Sequence, residues 1–171
     1  MTEPTIRSEL RHGDLDAIVA HHRYVYGEEY GVDSRFGDFV AEAVEEVAER
    51  GFPRERETIR IVELDGEHVG SIALTDEGDD EAAIRWVLLG PEVRGKGLGR
   101  RLVADMLAFA EDQGYRRVWL YTFSELKAAA HLYLDAGFVV TEADTAPRWG
   151  REAITMQRYE LELETRARLS A

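Results

Sequence analysis

Cysteine is absent from this 171-residue chain, which excludes disulfide frameworks, thiolate nucleophiles and zinc ribbons. Lysine is nearly absent as well. Of 21 basic residues only Lys96 and Lys127 are lysines, a bias of composition. Proline occurs four times, and no Pro/Gly/Ser-rich linker, internal repeat or low-complexity tract interrupts the chain. One domain over residues 1–171 is therefore expected, with 164–171 as a loose C-terminal tail. Long apolar runs are missing too: Trp86-Val87-Leu88-Leu89 is typical, far short of the roughly 20 residues that span a bilayer. Met1-Thr2-Glu3-Pro4 lacks the basic segment and apolar core of a secretory signal. The expectation is a cytoplasmic protein with no membrane partner. Positive charge is in deficit, 21 Lys+Arg against 34 Asp+Glu for a net charge of −13. Such a field repels polyanions, so nucleic acid is excluded as a partner, and the excess keeps a small domain soluble.

What is present is a 44% hydrophobic share, enough for a real core, and a clear succession of periodicities. A short extended segment, Thr5 to Leu10, precedes a helix in which Leu15, Ile18, Val19, His22, Val25 and Tyr26 recur at helical spacing up to Glu29. A second helix carries Phe36, Val40, Val44 and Val47 on one stripe and stops at Gly51 and Pro53. The period then becomes two. Ile59 to Leu64, the Asp65-Gly66 turn and His68 to Leu74 make a hairpin, and Ala82 to Leu89 adds a third strand buried on both faces at its apolar end. A helix from Leu98 to Ala110, a strand Val118 to Tyr121, and a helix Glu125 to Asp135 capped by Ser124 follow. Phe138 to Val140 and Ala153 to Leu163 read as the last strands. In the latter, the apolar phase changes between Met156 and Tyr159, which predicts a bulge near Arg158. The order β-α-α-β-β-β-α-β-α-β-β defines an α/β domain with a mixed sheet.

Chemistry concentrates in Val87-Leu88-Leu89-Gly90-Pro91-Glu92-Val93-Arg94-Gly95-Lys96-Gly97-Leu98-Gly99-Arg100, a strand running through a glycine-rich turn into a helix. Alternate glycines let main-chain N–H groups converge, and the helix start adds unpaired donors and a positive dipole end. Arg94, Lys96, Arg100 and Arg101 gather positive charge on an otherwise acidic chain, so a di- or polyphosphate is the natural occupant. Gly90 to Lys96 fits G-x-x-x-x-G-K, but Gly97 stands where a nucleotide-hydrolysing loop needs Ser or Thr. G-x-G-x-G also lacks the spacing of a dinucleotide fold. His12, His21, His68 and His131 show no metal-ligand spacing, so no metal is expected. No G-x-S-x-G elbow supports a serine hydrolase.

At Arg94-Gly95-Lys96-Gly97-Leu98-Gly99 the sequence resembles the GNAT acyl-CoA N-acyltransferase superfamily, whose signature is [RQ]-x-x-G-x-[GA]. Leu132-Tyr133-Leu134-Asp135-Ala136-Gly137-Phe138 is similar to the family's L-Y-x-x-x-G-F ending, and the element order agrees. His22 to Gly31 further resembles the acetyltransferase half of certain fused MarR-type regulator/acetyltransferase proteins; no DNA-binding half lies within these residues. The resemblance implies a mostly antiparallel sheet of about seven strands flanked by four helices. It also implies N-acetyl transfer from acetyl-CoA to a primary amine, by direct attack in a ternary complex. The loop Arg94, Gly95, Lys96, Gly97, Leu98, Gly99 and Arg100 would bind the coenzyme A pyrophosphate through main-chain amides. Val87, Leu88 and Leu89 would pair with the pantetheine arm, and Tyr133 would protonate the departing thiolate. Where many relatives place Asn, seven residues before this tyrosine, the chain has Leu126. A non-catalytic coenzyme A-binding sensor or partner module is the alternative.

His22, Tyr26, Glu29 and Tyr30 share one face of the first helix, a region that borders the acceptor cleft in the family. They are candidate acceptor-site residues, with Glu29 the candidate base, or else an ordinary amphipathic face packed on the sheet. Arg85 interrupts an apolar strand and either grips an acceptor carboxylate or forms a surface salt bridge. Tyr133 likewise has a plainer role open to it, as a helix residue packed beside Phe138. The expected acceptor is an amine-bearing small molecule rather than a protein, and exposed final strands suit a homodimer.

Overall fold

The switch from helical to alternating apolar spacing at Thr58 divides the chain into a helical cover and a sheet. The computed structural model describes residues 2–163; the expected tail at 164–171 lies outside them. The elements are β1 (Thr5–Arg7), α1 (Asp14–Tyr30), α2 (Ser34–Glu49), β2 (Thr58–Leu64), β3 (Glu67–Asp76), β4 (Glu81–Leu89), α3 (Leu98–Asp112), β5 (Arg117–Phe123), α4 (Lys127–Asp135), β6 (Val139–Arg148) and β7 (Arg151–Glu162). One 3₁₀ turn, Pro91–Val93, precedes α3. The seven strands form one sheet in the order β1-β2-β3-β4-β5-β7-β6. Every neighbouring pair is antiparallel except β4 with β5.

The amphipathic stripes explain the layers. Ile18, Val25 and Tyr26 of α1 and Phe36, Val40, Val44 and Val47 of α2 are buried with Ile59, Ile61 and Leu88 on one face of the sheet. On the other face, Leu102, Val103, Met106 and Leu107 of α3 and Tyr133 of α4 pack on Ile72, Leu74, Val118 and Leu120. α1 is anchored to β1 at its start, where Asp14 receives Arg7 in a two-pronged ion pair (2.8 and 3.0 Å) and also accepts the Arg11 N–H at 2.6 Å.

Three expectations need correction. Ser124 does not cap α4: the cap is Leu126 with no side-chain bond. β6 runs on to Arg148, well past Val140, and meets β7 through the two-residue turn Trp149-Gly150, with φ of 46° and 83°. Pro147 lies within this stretch, and an edge strand tolerates its missing N–H. Finally, β7 itself carries no bulge near Arg158, since its pairing with β5 is continuous from Glu162 to Met156. The irregularity lies on β6, between Val140 and Glu142. The apolar phase changes because Ile154 and Met156 face the α1/α2 side while Tyr159 and Leu161 face the α3/α4 side.

Leu107, 1% exposed at the centre of the α3 contact, sits where the helix that carries the glycine loop is pinned to the sheet. Leu107→Ala is expected to cost about 2–5 kcal/mol, read in urea unfolding as a lower midpoint at unchanged slope; an unmoved midpoint would contradict this packing.

Candidate active site

The site is created by a failure of strand pairing. β4 and β5 run in parallel only through Glu81↔Arg117, Ala82↔Val118 and Ala83↔Trp119, and beyond Ala83 they separate. The cause lies in β4. Its register on β3 slips so that Ser71 faces Leu88 but Ala73 faces Arg85, and Trp86 takes a φ of 54°. That is a bulge, which bends the strand and turns its edge away from its neighbour. The Ser71 hydroxyl secures it, donating to the Trp86 carbonyl at 2.6 Å, and the indole packs edge-on against Phe52 at 5.5 Å.

Past the bulge the main chain of β4 is available on one side. Gly90 N–H bonds the Val69 carbonyl at 2.8 Å, so alternation turns Leu88 to β3 and points the peptide groups of Val87 and Leu89 into the gap. The glycine turn begins where this edge ends. Gly95 and Gly97 have φ of 77° and 79°, a region that side chains with a Cβ avoid, and Gly97 caps α3 with no side-chain bond. Among the described residues, none of the N–H groups of residues 95–100 has a hydrogen-bond partner. Six successive donors at a helix start make an anion cradle.

The charges around the cradle are partly committed elsewhere. Arg94 donates from Nε to the Leu89 carbonyl (2.8 Å) and from Nη1 to Glu29 (2.6 and 2.9 Å), while Arg100 pairs with Asp135 at 2.9 Å. The side chains of Lys96 and Arg101 form no hydrogen bond or ion pair among the described residues.

The gap opens into a cavity of about 600 Å³ that crosses the sheet. Val87, Trp86 and Tyr133 line it, as do His22 and Tyr26 from α1. Tyr133 is 2% exposed, its ring set against Phe138 and Tyr159 (5.8 and 5.5 Å between centroids), and its hydroxyl makes no hydrogen bond among the described residues. Burial holds this phenol well above its ordinary pKa, with the neighbouring Tyr159 adding to the effect. It is therefore a protonated donor at neutral pH. Tyr26 is raised in the same way, by burial first and then by Tyr133. His22 shares a carbonyl contact with its own helix: Nδ1 lies 2.8 Å from the Ile18 carbonyl, which makes Nδ1 the donor and leaves Nε2 a bare acceptor. Its ring stacks on Tyr26 at 5.8 Å, and burial pushes its pKa down to about 4.

The helix stripe thus divides. His22 and Tyr26 reach the cavity; Glu29 and Tyr30, one to two turns further on, do not line it. Glu29 is bound to Arg94 and ties α1 to the loop, so the expectation that it is the base is not supported. Tyr30 packs on Tyr26 and Phe123. Arg85 lines the cavity yet is engaged, donating to Thr75 Oγ1 at 2.9 Å and pairing with Glu77 at 3.1 Å. Leu126 lines the wall. Sequence reasoning missed Trp119, Tyr121, Arg148 and Arg158, all on the wall. Period-two alternation from Ile154 through Met156 carried the signal for Arg158, which the assumed bulge concealed.

The Acetyltransferase (GNAT) family model matches residues 22–138, and the chain belongs to that family. Among curated proteins, it is 30% identical over 113 residues to the uncharacterized N-acetyltransferase YjgM of Escherichia coli (strain K12), covering 64% of this chain and 68% of that protein. A mycothiol acetyltransferase of Cellulomonas flavigena is 42% identical over 67 residues, covering 39% of this chain but only 19% of its own length. Among solved structures, an N-acetyltransferase from Staphylococcus aureus Mu50 superposes with a TM-score of 0.71 at 20% identity, covering 94% and 99% of the two chains. The acetyltransferase yncA of Salmonella typhimurium, determined with its cofactor acetyl-CoA, gives 0.67 at 21% identity, with 94% of each chain covered. The mixed, mostly antiparallel seven-stranded sheet with four helices is that fold.

The buried histidines make stability depend on pH. His22 and His68 both have pKa values lowered by burial to about 4, and both His68 nitrogens are buried without partners. Because the unfolded chain binds protons near pH 6.5 and the folded chain does not, the stabilisation is complete above about pH 6.5 and is lost as pH falls toward 4. The urea midpoint is expected to drop from pH 7 to pH 5, and less steeply in His68→Leu; a flat profile would contradict neutral burial of these rings.

Proposed function

We propose that this protein transfers the acetyl group of acetyl-CoA directly to the primary amine of a small molecule within a ternary complex. The observation that carries this reading is a succession along the chain: Val87 lines the cavity, the freed edge of β4 runs on to Leu89, and the unbonded amides of residues 95–100 follow at the start of α3. A pyrophosphate needs convergent donors, and an amide-bearing arm needs an unpaired strand edge. Arg94 through Arg100 would hold the first, with Lys96 free to add charge. The peptide groups of Val87 and Leu89 would pair with the second, one of their N–H groups facing the thioester oxygen. There it would stabilise developing negative charge, an effect of a few kcal/mol per donor. Acetyl-CoA supplies the activated acetyl group; the chain supplies position and protons.

Tyr133 is the proton source. Its unbonded hydroxyl, on a buried ring that lines the cavity, stays protonated at neutral pH; as the amine nitrogen bonds to the acetyl carbon and the carbon–sulfur bond breaks, it gives its proton to the departing sulfur, and the proton that the nitrogen loses passes through His22 Nε2 to restore the phenol. His22 Nε2 is the best-placed acceptor for an amine N–H, since Nδ1 is fixed as the donor to Ile18. Its low pKa suits it to orient the amine lone pair rather than to retain a proton. A cavity of about 600 Å³ is of the size that encloses small ligands, which supports a small-molecule acceptor over a protein.

Tyr133→Phe tests the assignment against that of a protein that only binds the coenzyme. Amine-dependent thiol release is expected to fall about 10²-fold or more, with coenzyme A affinity in calorimetry unchanged. Equal rates in the two proteins would remove Tyr133 from the mechanism, and absence of amine-dependent release in the wild type would leave only binding.

A further inference from the structure

The acceptor half of the cavity is unusual for so acidic a chain: three guanidinium groups line it, those of Arg85, Arg148 and Arg158, against the carboxylates of Glu142 and Asp144. Arg158 is the most firmly posed of the three. Its side chain is 18% exposed, and the guanidinium carbon lies 4.5 Å from the Trp119 ring centroid and 5.6 Å from that of Tyr121. Nη1 donates to the Tyr121 hydroxyl at 3.3 Å. Cation–π contact on two rings fixes the plane of the group without using its outer donors.

Two of the three acidic groups near it are already shared, and the third, Glu142, forms no hydrogen bond or ion pair among the described residues. Glu160 meets Arg158 Nε at 3.5 Å but also Arg117 at 3.5 Å. Glu142 stands opposite in register on β6, and Asp144 is held by Arg148 Nη2 at 2.6 Å. Arg158 Nη2 and Arg148 Nη1 make no hydrogen bond among the described residues. Arg85 is spent on Thr75 and Glu77. Along β7, Arg158 is followed at once by Tyr159, which points to the other face of the sheet and packs its ring on Tyr133 there, so the posed guanidinium and the proton donor flank one passage.

Paired donors held flat in a partly desolvated wall are suited to a carboxylate. A polyamine would meet three fixed cations, Asp144 already held by Arg148, and Glu142 as the one carboxylate on this wall without a hydrogen bond or ion pair among the described residues. We propose that Arg158, supported by Arg148, receives a carboxylate on the acceptor, so that the substrate is an amino acid or a similar zwitterion. This rests on the transferase reading given above. The acidic exterior is no obstacle, because a zwitterion carries no net charge to be repelled.

The test compares thiol release from acetyl-CoA with a panel of common L-amino acids, each paired with its carboxamide, and with spermidine as the polycation. At least one amino acid is expected to exceed both its amide and spermidine in kcat/KM. Arg158→Gln should lower that value about tenfold or more, through KM. It should also bring the acid-to-amide ratio toward one, and Arg158→Lys should recover part of it. The amide reaction of the same variant and its thermal melt report whether the fold is intact. Preference for the amides or spermidine, an unchanged ratio in Arg158→Gln, or no amino-acid turnover while calorimetry shows acetyl-CoA bound would each overturn the proposal and spare the transferase reading. Failure of acetyl-CoA to bind would overturn both.

Discussion

The parting of β4 from β5 is the feature on which the rest of this molecule depends. Two parallel strands that begin in register would, left alone, continue to pair. Here a tryptophan is held at a φ of 54°, a conformation that costs on the order of 1–3 kcal/mol for such a residue. The Ser71 hydroxyl and the packing of the indole against Phe52 offset it. What results is an open edge of peptide groups, a passage through the sheet, and a chain direction that delivers β4 straight into the glycine turn. The open edge and the cavity follow from one bulge, and the amide row from Gly95 and Gly97 at the start of α3.

The electrostatics divide the labour in a way that counting charges does not reveal. The basic cluster at the loop looks like a set of phosphate-binding side chains, yet Arg94 is spent on Glu29 and the Leu89 carbonyl, and Arg100 on Asp135. Arg94 acts as a strut between the end of α1 and the loop. The remaining attraction for an anion comes chiefly from unbonded amides at the start of α3, aided by Lys96 and Arg101. Those amides are fixed in the backbone and pay little ordering entropy, which long side chains on an acidic surface would have to pay.

Much of this was legible in the sequence. Strong periodicity over long segments placed α1, α2, α3 and the β2-β3-β4 meander within a few residues, and the alternate glycines after an apolar strand located the cradle. Tyr133, His22 and Tyr26 were named from motif and helix spacing and do reach the cavity. The failures have physical causes. Nothing in Trp86 announces a positive φ, because a bulky aromatic is among the residues least suited to it. Glu29 shares a helix face with His22, but a face is longer than a cavity, and its last turn lies beside the loop, where Arg94 claims it. Arg158 was hidden because β7 is covered on different faces along its length, which imitates a bulge. The far half of β6 was obscured by Pro147 and a polar run that only an edge strand accommodates.

The central claim is that main-chain amides at the start of α3 hold a pyrophosphate at the end of a freed strand. Calorimetric titration with coenzyme A and with pantetheine, which keeps the arm and lacks the pyrophosphate, tests it most directly. The account predicts that coenzyme A binds and that pantetheine binds at least about a hundredfold more weakly, the worth of two or so charge-assisted hydrogen bonds. Equal affinity for the two, or no heat with either, would contradict it.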